Sequence, residues 1–201
     1  MSADGQALAQ LHQALDSVHL QPVAGNADTD WTGLAVSMRG QLGQADQHLL
    51  DRLLAALAAV QQGPALPTGL IHGDLFRDNC LFEGHQLTGI LDFSEWGHGV
   101  RLFDLAISLN DFCSDWPAVT LNADKARAFL QGYASVQPLD AAAQQALPVY
   151  LAAAAGRFWL SRLQARQRHQ RLDSREHVLD KDPLEMRAML HARLADAVVL
   201  Q

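Results

Sequence analysis

The sequence predicts a mostly α-helical fold with a small β-hairpin set into its middle, and three observations carry that prediction. Apolar residues recur at steps of three and four on both sides of the chain's centre, the spacing that lines up one face of a helix. Between Gly69 and Phe93 that period gives way to short apolar runs separated by turn residues. Helix punctuation also falls at sharp places: Gly63-Pro64 closes one periodic run and Asp182-Pro183 opens another.

The first helix is predicted from about Gly5 to Val18, with Leu8, Leu11, Leu15 and Val18 on one face. Pro22, Gly25, Asn26, Asp28 and Gly33 then read as loop, up to about Gly40. A second helix is predicted from Ala45 to Gln62, its stripe being Leu49, Leu50, Leu53, Leu54, Leu57 and Val60. Gly69 to His72 reads as a short buried strand. Cys80 to Phe82 and Leu87 to Leu91 read as a hairpin turned at Glu83-Gly84-His85-Gln86. Gly97 and Gly99 mark a glycine-rich loop. Helices follow at Asp104 to Phe112, Asn122 to about Val136, and from Asp140 through Leu163, the last with a kink predicted at Pro148. In the final helix Asp182 is the N-cap, Pro183 the first helical residue and Glu185 the partner in an acidic capping box.

A chain of 201 residues with 49% hydrophobic residues is one domain, or one large lobe, with enough apolar material for a core. Its net charge of -7 argues against a nucleic-acid partner, which needs clustered Lys and Arg. The basic stretch Arg157 to Arg175 reads as a solvated helix face. Cys80 and Cys113 sit in no CxxC pair, which excludes a zinc ribbon and reads as reduced core thiols of a cytoplasmic protein. Met1 to Gln10 lacks the pattern of a signal peptide. The most apolar run, Ala146 to Leu160, holds Pro148 and Arg157 and falls short of the roughly 20 residues that span a bilayer, so no membrane partner is expected.

Chemistry concentrates between Leu70 and Cys113. The core is His72-Gly73-Asp74-Leu75-Phe76-Arg77-Asp78-Asn79, followed after the hairpin by Ile90-Leu91-Asp92-Phe93. A hairpin turned at Gly84 and His85 folds residue 79 back opposite about residue 90, so Asn79 and Asp92 meet at one end of the ribbon. Asp74 lies in the loop that feeds this end. Phosphoryl transfer mainly requires positioning and charge neutralisation. Magnesium takes hard oxygen ligands and keeps several waters, which Asn79 and Asp92 suit. Asp74 is then the carboxylate left to accept a hydroxyl proton. Singly these residues read as turn and cap residues. It is the combination, HxDxxxxN and then a hydrophobic-Asp-Phe one hairpin later, that matches a kinase catalytic loop and metal aspartate. His72 is given a structural role, locking the loop, and Asp104 that of a helix cap or loop anchor.

These residues resemble the kinase-like fold of aminoglycoside phosphotransferases and choline kinases, with His-x-Asp at the catalytic loop and a second Asp-Leu-Ala at Asp104-Leu105-Ala106. Within that group the chain is more similar to homoserine kinases. The similarity runs through Leu70 to Asn79, Leu81-Phe82-Glu83-Gly84, Leu87 to Phe93, Phe103 to Ile107 and Asn110 to Cys113. It continues at Arg157 to Leu163, at Lys181-Asp182-Pro183, and at Leu8-Ala9-Gln10-Leu11-His12, which resembles the first helix of the C-terminal lobe. The resemblance implies that residues 1–201 are the C-terminal, catalytic lobe of a protein-kinase-like fold. It implies transfer of the ATP γ-phosphate to the hydroxyl of L-homoserine, in threonine biosynthesis. It also implies Asp74 as base, and Asn79 and Asp92 as Mg2+ ligands. Arg157 is proposed for the substrate carboxylate, because a guanidinium suits bidentate recognition of that group; the competing reading is a surface Arg with a snorkelling stem.

Two features depart from the family's pattern. Phe93-Ser94-Glu95-Trp96-Gly97-His98-Gly99 carries more charge and fewer aromatic residues than a homoserine kinase has directly after Asp-Phe. Glu95 there reads as an exposed loop residue, with a substrate ammonium as its alternative partner. No glycine-rich phosphate loop precedes the first helix, and Lys125 and Lys181, the only lysines, both follow the catalytic segment. The nucleotide-binding N-terminal lobe is therefore expected to be absent. The face that would meet it is expected to expose apolar surface and to favour self-association. The rival readings are a kinase for another small hydroxylated amine, such as an amino sugar or choline, and a truncated non-catalytic lobe.

Overall fold

In the computed structural model, which describes residues 2–18, 31–84, 86–172 and 181–195, helices surround one long central helix. The order is α1 (Ser2–Leu15), α2 (Trp31–Arg39), α3 (Gln44–Gln61), β1 (Thr68–Ile71), β2 (Cys80–Glu83), β3 (Gln86–Ile90), β4 (Gly97–Val100) and α4 (Arg101–Phe112). There follow β5 (Ser114–Asp115), β6 (Thr120–Leu121), α5 (Ala123–Ala134), α6 (Ala141–Leu172) and α7 (Pro183–Ala195). One-turn 3-10 helices at Arg77–Asn79 and Phe93–Glu95 flank the hairpin β2–β3. No helix among the described residues is long and apolar enough to cross a membrane.

The core forms around α6, whose buried face runs from Ala143 through Leu151, Ala152, Ala153, Ala154 and Ala155 to Trp159 and Leu160. The alanines leave room for neighbouring helices to approach. Gly156 extends this: a Cβ there would lie 2.3 Å from Leu53 Cδ2, so α3 seats its Leu50 and Leu53 directly on α6. From the other side come Leu102, Phe103, Leu105, Ala106 and Leu109 of α4, and Met186, Met189 and Leu190 of α7. α1 and α5 pack on each other at two glycines, Gly5 and Gly132, where the backbones touch.

Several elements differ from the sequence reading. α1 begins at Ser2 and ends at Leu15. The stretch taken as loop up to Gly40 contains α2, which buries Trp31, Ala35 and Met38; Pro22, Gly25, Asn26 and Asp28 lie outside the described residues. Gly33 is therefore helical, its low propensity overridden by tertiary burial of the flanking apolar face. Gly97 to Val100, taken as loop, is strand β4, antiparallel to β1 with Ile71 opposite Gly97 and Gly69 opposite Gly99. Facing glycines give no β signal of their own, and only the partner strand makes the segment extended. α4 starts at Arg101, so Asp104 sits inside its first turn rather than capping it. α6 runs through Pro148, as read, but extends beyond Leu163 to Leu172. N-cap bonds are made at three helices: Asn122 accepts from Lys125 N, Asp140 from Ala143 N at 2.7 Å, and Asp182 from Leu184 N at 3.0 Å. Glu185 does not turn back to its cap but takes Arg162 at 3.3 Å.

The basic stretch is not simply a solvated face. The side chains of Arg157 and Arg162 are each only 11% exposed, and both hold acidic partners and backbone carbonyls. Arg171 and Arg175 lie outside the described side chains. Both cysteines are free; burial pushes the Cys80 thiol up to about 11 and the Cys113 thiol up to about 12, so neither is a reactive thiolate.

Candidate active site

The hairpin brings Asn79 to the end that carries Asp92, with the register shifted by one residue from the expected pairing of 79 with 90 by an irregularity between Leu81 and Phe82. Cys80 faces Ile90, and one step further out the amide of Leu91 donates to the carbonyl of Asn79 at 2.8 Å. Asn79 and the residue before Asp92 are thus joined by a backbone hydrogen bond at the open end of the ribbon. The turn residue His85 lies outside the described residues, while Gly84 beside it takes a φ of +59°.

Asp74 sits on the loop between β1 and the hairpin, partly buried. The amide nitrogen of Asn79 donates to the Asp74 carbonyl at 2.8 Å and to its carboxylate Oδ2 at 3.1 Å. One side chain therefore fixes both the backbone and the carboxylate of Asp74. Burial lifts the Asp74 carboxyl above the ordinary aspartate range, against the opposing pull of Arg157, Asn79 and His72. The segment between Asp74 and Asn79 is pinned at every residue. Leu75 and Phe76 are buried, Ser108 donates to the Leu75 carbonyl, Arg77 pairs with Asp111 at 3.0 Å, and Asp78 with Lys181 at 2.8 Å.

Asp92 has the opposite character. It is exposed and has a left-handed φ of +57°, rare outside glycine and tolerated by Asp. Its carboxylate accepts from Ser94 N at 3.2 Å, and the bonds from Ser94 hold its pKa below the ordinary value. The amide nitrogen of Asn79 is committed to Asp74, so the free ligand atom of that side chain is its oxygen. An ionised carboxylate and a carboxamide oxygen fit a hard divalent cation that takes its other ligands from phosphates and water. Among the described residues no cluster of three or more His, Cys, Asp or Glu forms an all-protein metal cage.

His72 and Asp104 organise the loop from behind, and both are fully buried. Asp104 Oδ2 accepts from the amide of His72 and Oδ1 from the amide of Gly73, each at 2.9 Å. The amide of Asp74 donates to His72 Nδ1 at 3.2 Å, which makes Nε2 the protonated nitrogen, and that nitrogen donates to the Leu91 carbonyl at 2.9 Å. His72 therefore spans from Asp74 to the residue preceding Asp92. Gly73 has a φ of +79°, and a Cβ there would lie 2.4 Å from the Glu95 carbonyl oxygen, so the loop closes only with glycine at this position.

Arg157 reaches this loop from α6. Its guanidinium donates to the Gly73 carbonyl and pairs with Glu95 at 2.7 Å. The residue proposed as a carboxylate ligand thus lies beside Asp74 and already holds a carboxylate of the protein itself. His12, quoted at the sequence level only for its resemblance, also belongs to the site: its Nε2 bonds Asp104 Oδ2 at 2.9 Å. The available signal was a histidine set among Leu8, Leu11 and Leu15 on the apolar face of a helix.

Among solved structures, an amicoumacin kinase in complex with AMP-PNP, Ca2+ and Ami matches 99% of this chain and 59% of its own, with a TM-score of 0.67 at 18% identity. A choline/ethanolamine kinase family protein from Mesorhizobium loti matches 96% of this chain and 58% of its own, with a TM-score of 0.66 at 18% identity. At that identity the likeness establishes the fold. Among curated relatives, a homoserine kinase of Pseudomonas aeruginosa is 42% identical over 76% of this chain and 47% of its own length. One of Polaromonas naphthalenivorans is 41% identical over 79% of this chain and 51% of its own. The chain spans about half the length of the curated relatives it matches. The model of the phosphotransferase enzyme family matches residues 2–139, a span that holds Asp74, Asn79, Asp92 and Asp104, and the chain belongs to that family.

Proposed function

We propose that this chain is the catalytic, C-terminal lobe (residues 1–201) of a cytoplasmic homoserine kinase, which transfers the γ-phosphoryl group of ATP to the hydroxyl of L-homoserine in threonine biosynthesis. The observation that carries the reaction type is the Asn79–Asp74 bond at the same end of the hairpin that carries Asp92. The acceptor rests on the curated relatives named homoserine kinase.

Asp74 is the base. Asn79 and the His72 imidazole orient it, and it takes the hydroxyl proton as the acceptor oxygen bonds to phosphorus and the bond to the β-phosphate bridging oxygen breaks. Asn79 Oδ1 and Asp92 would hold Mg2+, which when bound supplies neutralisation of phosphate charge. Arg157 would meet the α-carboxylate of homoserine in the place now taken by Glu95. Leu91 and Phe93 on either side of Asp92, and Leu81 and Phe82 on β2, are between 39% and 49% exposed, apolar surface suited to the nucleotide-binding part of a longer kinase or to a second copy of the chain.

The test is phosphorus NMR on the purified chain with ATP, Mg2+ and L-homoserine. Formation of O-phospho-L-homoserine that disappears in Asp74→Ala is expected; ATP turnover that persists in Asp74→Ala would refute the assignment. A second acceptor class, a hydroxylated amine such as an amino sugar or choline, is favoured by Glu95, which sets an exposed carboxylate near Asp74. Phosphorylation of such an amine in preference to homoserine would select it.

A further inference from the structure

His12 lies on α1, far from Asp74 in sequence, yet one residue, Asp104, separates it from the loop's backbone. The imidazole is fully buried and bonded at both nitrogens: Nε2 to Asp104 Oδ2 and Nδ1 to the Tyr133 hydroxyl, each at 2.9 Å. Tyr133, on α5, also lies 3.3 Å from Gln137 Oε1, and Gln137 donates onward to the Ala9 carbonyl of α1. The far side of Asp104 holds the amides of His72 and Gly73. A continuous polar chain thus runs from α5 through α1 to the two residues before Asp74.

The support under this chain is stiff. A Cβ on Gly5 would lie 2.0 Å from the Phe129 carbonyl oxygen, and one on Gly132 would lie 1.8 Å from the Ser2 carbonyl oxygen. The backbones of α1 and α5 therefore touch at two points, and their relative position is set by contact between rigid main chains. His12 and Tyr133 are carried on that pair. An Asp carboxylate without His12 would keep its two amide donors but lose the group that fixes its own rotamer from behind.

We propose that His12 is a positioning residue for phosphoryl transfer, acting through Asp104 to hold the His72–Gly73 backbone and hence the direction of the Asp74 carboxylate. This rests on the reading of Asp74 as the base, and one readout is independent of that reading. His12→Leu removes the donor in an apolar setting, His12→Gln keeps an N–H at about the right reach, and Tyr133→Phe removes only the hydroxyl behind it.

The first measurement is amide hydrogen exchange by NMR on the whole chain. In His12→Leu the amides of His72 and Gly73 should exchange at least about 10-fold faster relative to the amides of α6, the equivalent of one lost hydrogen bond. His12→Gln should recover part of that protection. Tyr133→Phe, which leaves the packing intact, should accelerate the same two amides by about 2- to 5-fold, and it decides the question if His12→Leu does not fold. In phosphoryl transfer, kcat of His12→Leu should fall by about 10- to 100-fold with KM for acceptor and nucleotide unchanged. Unchanged exchange at His72 and Gly73, or equal acceleration at α6, would overturn the proposal, as would a rise in KM without a fall in kcat. Absence of transfer by the unsubstituted chain would count against the activity proposed for this chain by itself, and the exchange pattern would still decide the role of His12.

Discussion

Asp92 and Asp104 are the same residue type, separated by one short turn and one strand, and the fold treats them in opposite ways. Asp104 is fully buried, and His12 and two backbone amides satisfy its carboxylate. Asp92 stands exposed on a left-handed residue, bonded to the local Ser94 amide and flanked by the exposed Leu91 and Phe93. The charge of Asp104 is consumed inside the molecule and holds its shape. The charge of Asp92 faces outward and is available to a ligand.

The comparison breaks most easily at Asp104. Asp104→Ala leaves His12 and two amides buried without their acceptor and should cost about 3–5 kcal/mol in urea unfolding. Asp92→Ala, which loses the Ser94 bond and places Ala at a left-handed φ, should cost only about 1 kcal/mol while abolishing Mg2+-dependent transfer. A stability loss in Asp92→Ala comparable to that of Asp104→Ala would erase the distinction.

The loop that joins the two can be tested next. Gly73→Ala places a methyl against the Glu95 carbonyl on a residue with positive φ, and should lose about 1–3 kcal/mol. Gly84 also has a positive φ, but a Cβ there meets nothing within 4 Å, so Gly84→Ala should lose only about 1 kcal/mol. Equal losses would mean that close approach contributes nothing beyond backbone strain.

Acidity sharpens the contrast further. Burial alone would raise the Asp104 carboxyl; its bonds from His12, His72 and Gly73 outweigh that and hold it below its ordinary value of 3.8. A depressed carboxylate stabilises the fold above the unfolded value, and that contribution is lost as pH falls through the folded value. Unfolding midpoints measured from about pH 6 to about pH 3 should therefore decline less steeply in Asp104→Asn than in the unsubstituted chain. The smallest effect is expected at the rim of the Asp74–Asn79 loop. Lys181→Ala removes an exposed bridge to Asp78 and should change stability by less than about 1 kcal/mol.

Much of this was legible from residues alone. Helical periodicity located α1 and α3, because one-sided burial leaves a repeat in the sequence, while start signals at Asn122, Asp140 and Asp182-Pro183 located α5, α6 and α7. The hairpin was legible from its turn, and with it the approach of Asn79 to the end that carries Asp92; the one-residue register shift between Leu81 and Phe82, which sets Ile90 opposite Cys80 instead of Asn79, was not. α2 was missed because Gly33 sits within a short helix, and β4 because glycine carries no strand preference. Arg157 was placed near the substrate on chemical grounds, but its grip on Gly73 and Glu95 depends on how α6 crosses the loop, which no local pattern encodes.

The sequence by itself determined the helical scaffold, the hairpin and the order Asp74, Asn79, Asp92, since these depend on local period, turn chemistry and chain direction. Only the tertiary structure decided which aspartate is buried and which is exposed, and that His12 stands behind the His72–Asp74 loop. Those outcomes depend on contacts between segments far apart in the chain, α1 against α5 and α4 against the loop. There the environment, rather than the residue type, sets whether a carboxylate is held by the protein or left for a ligand.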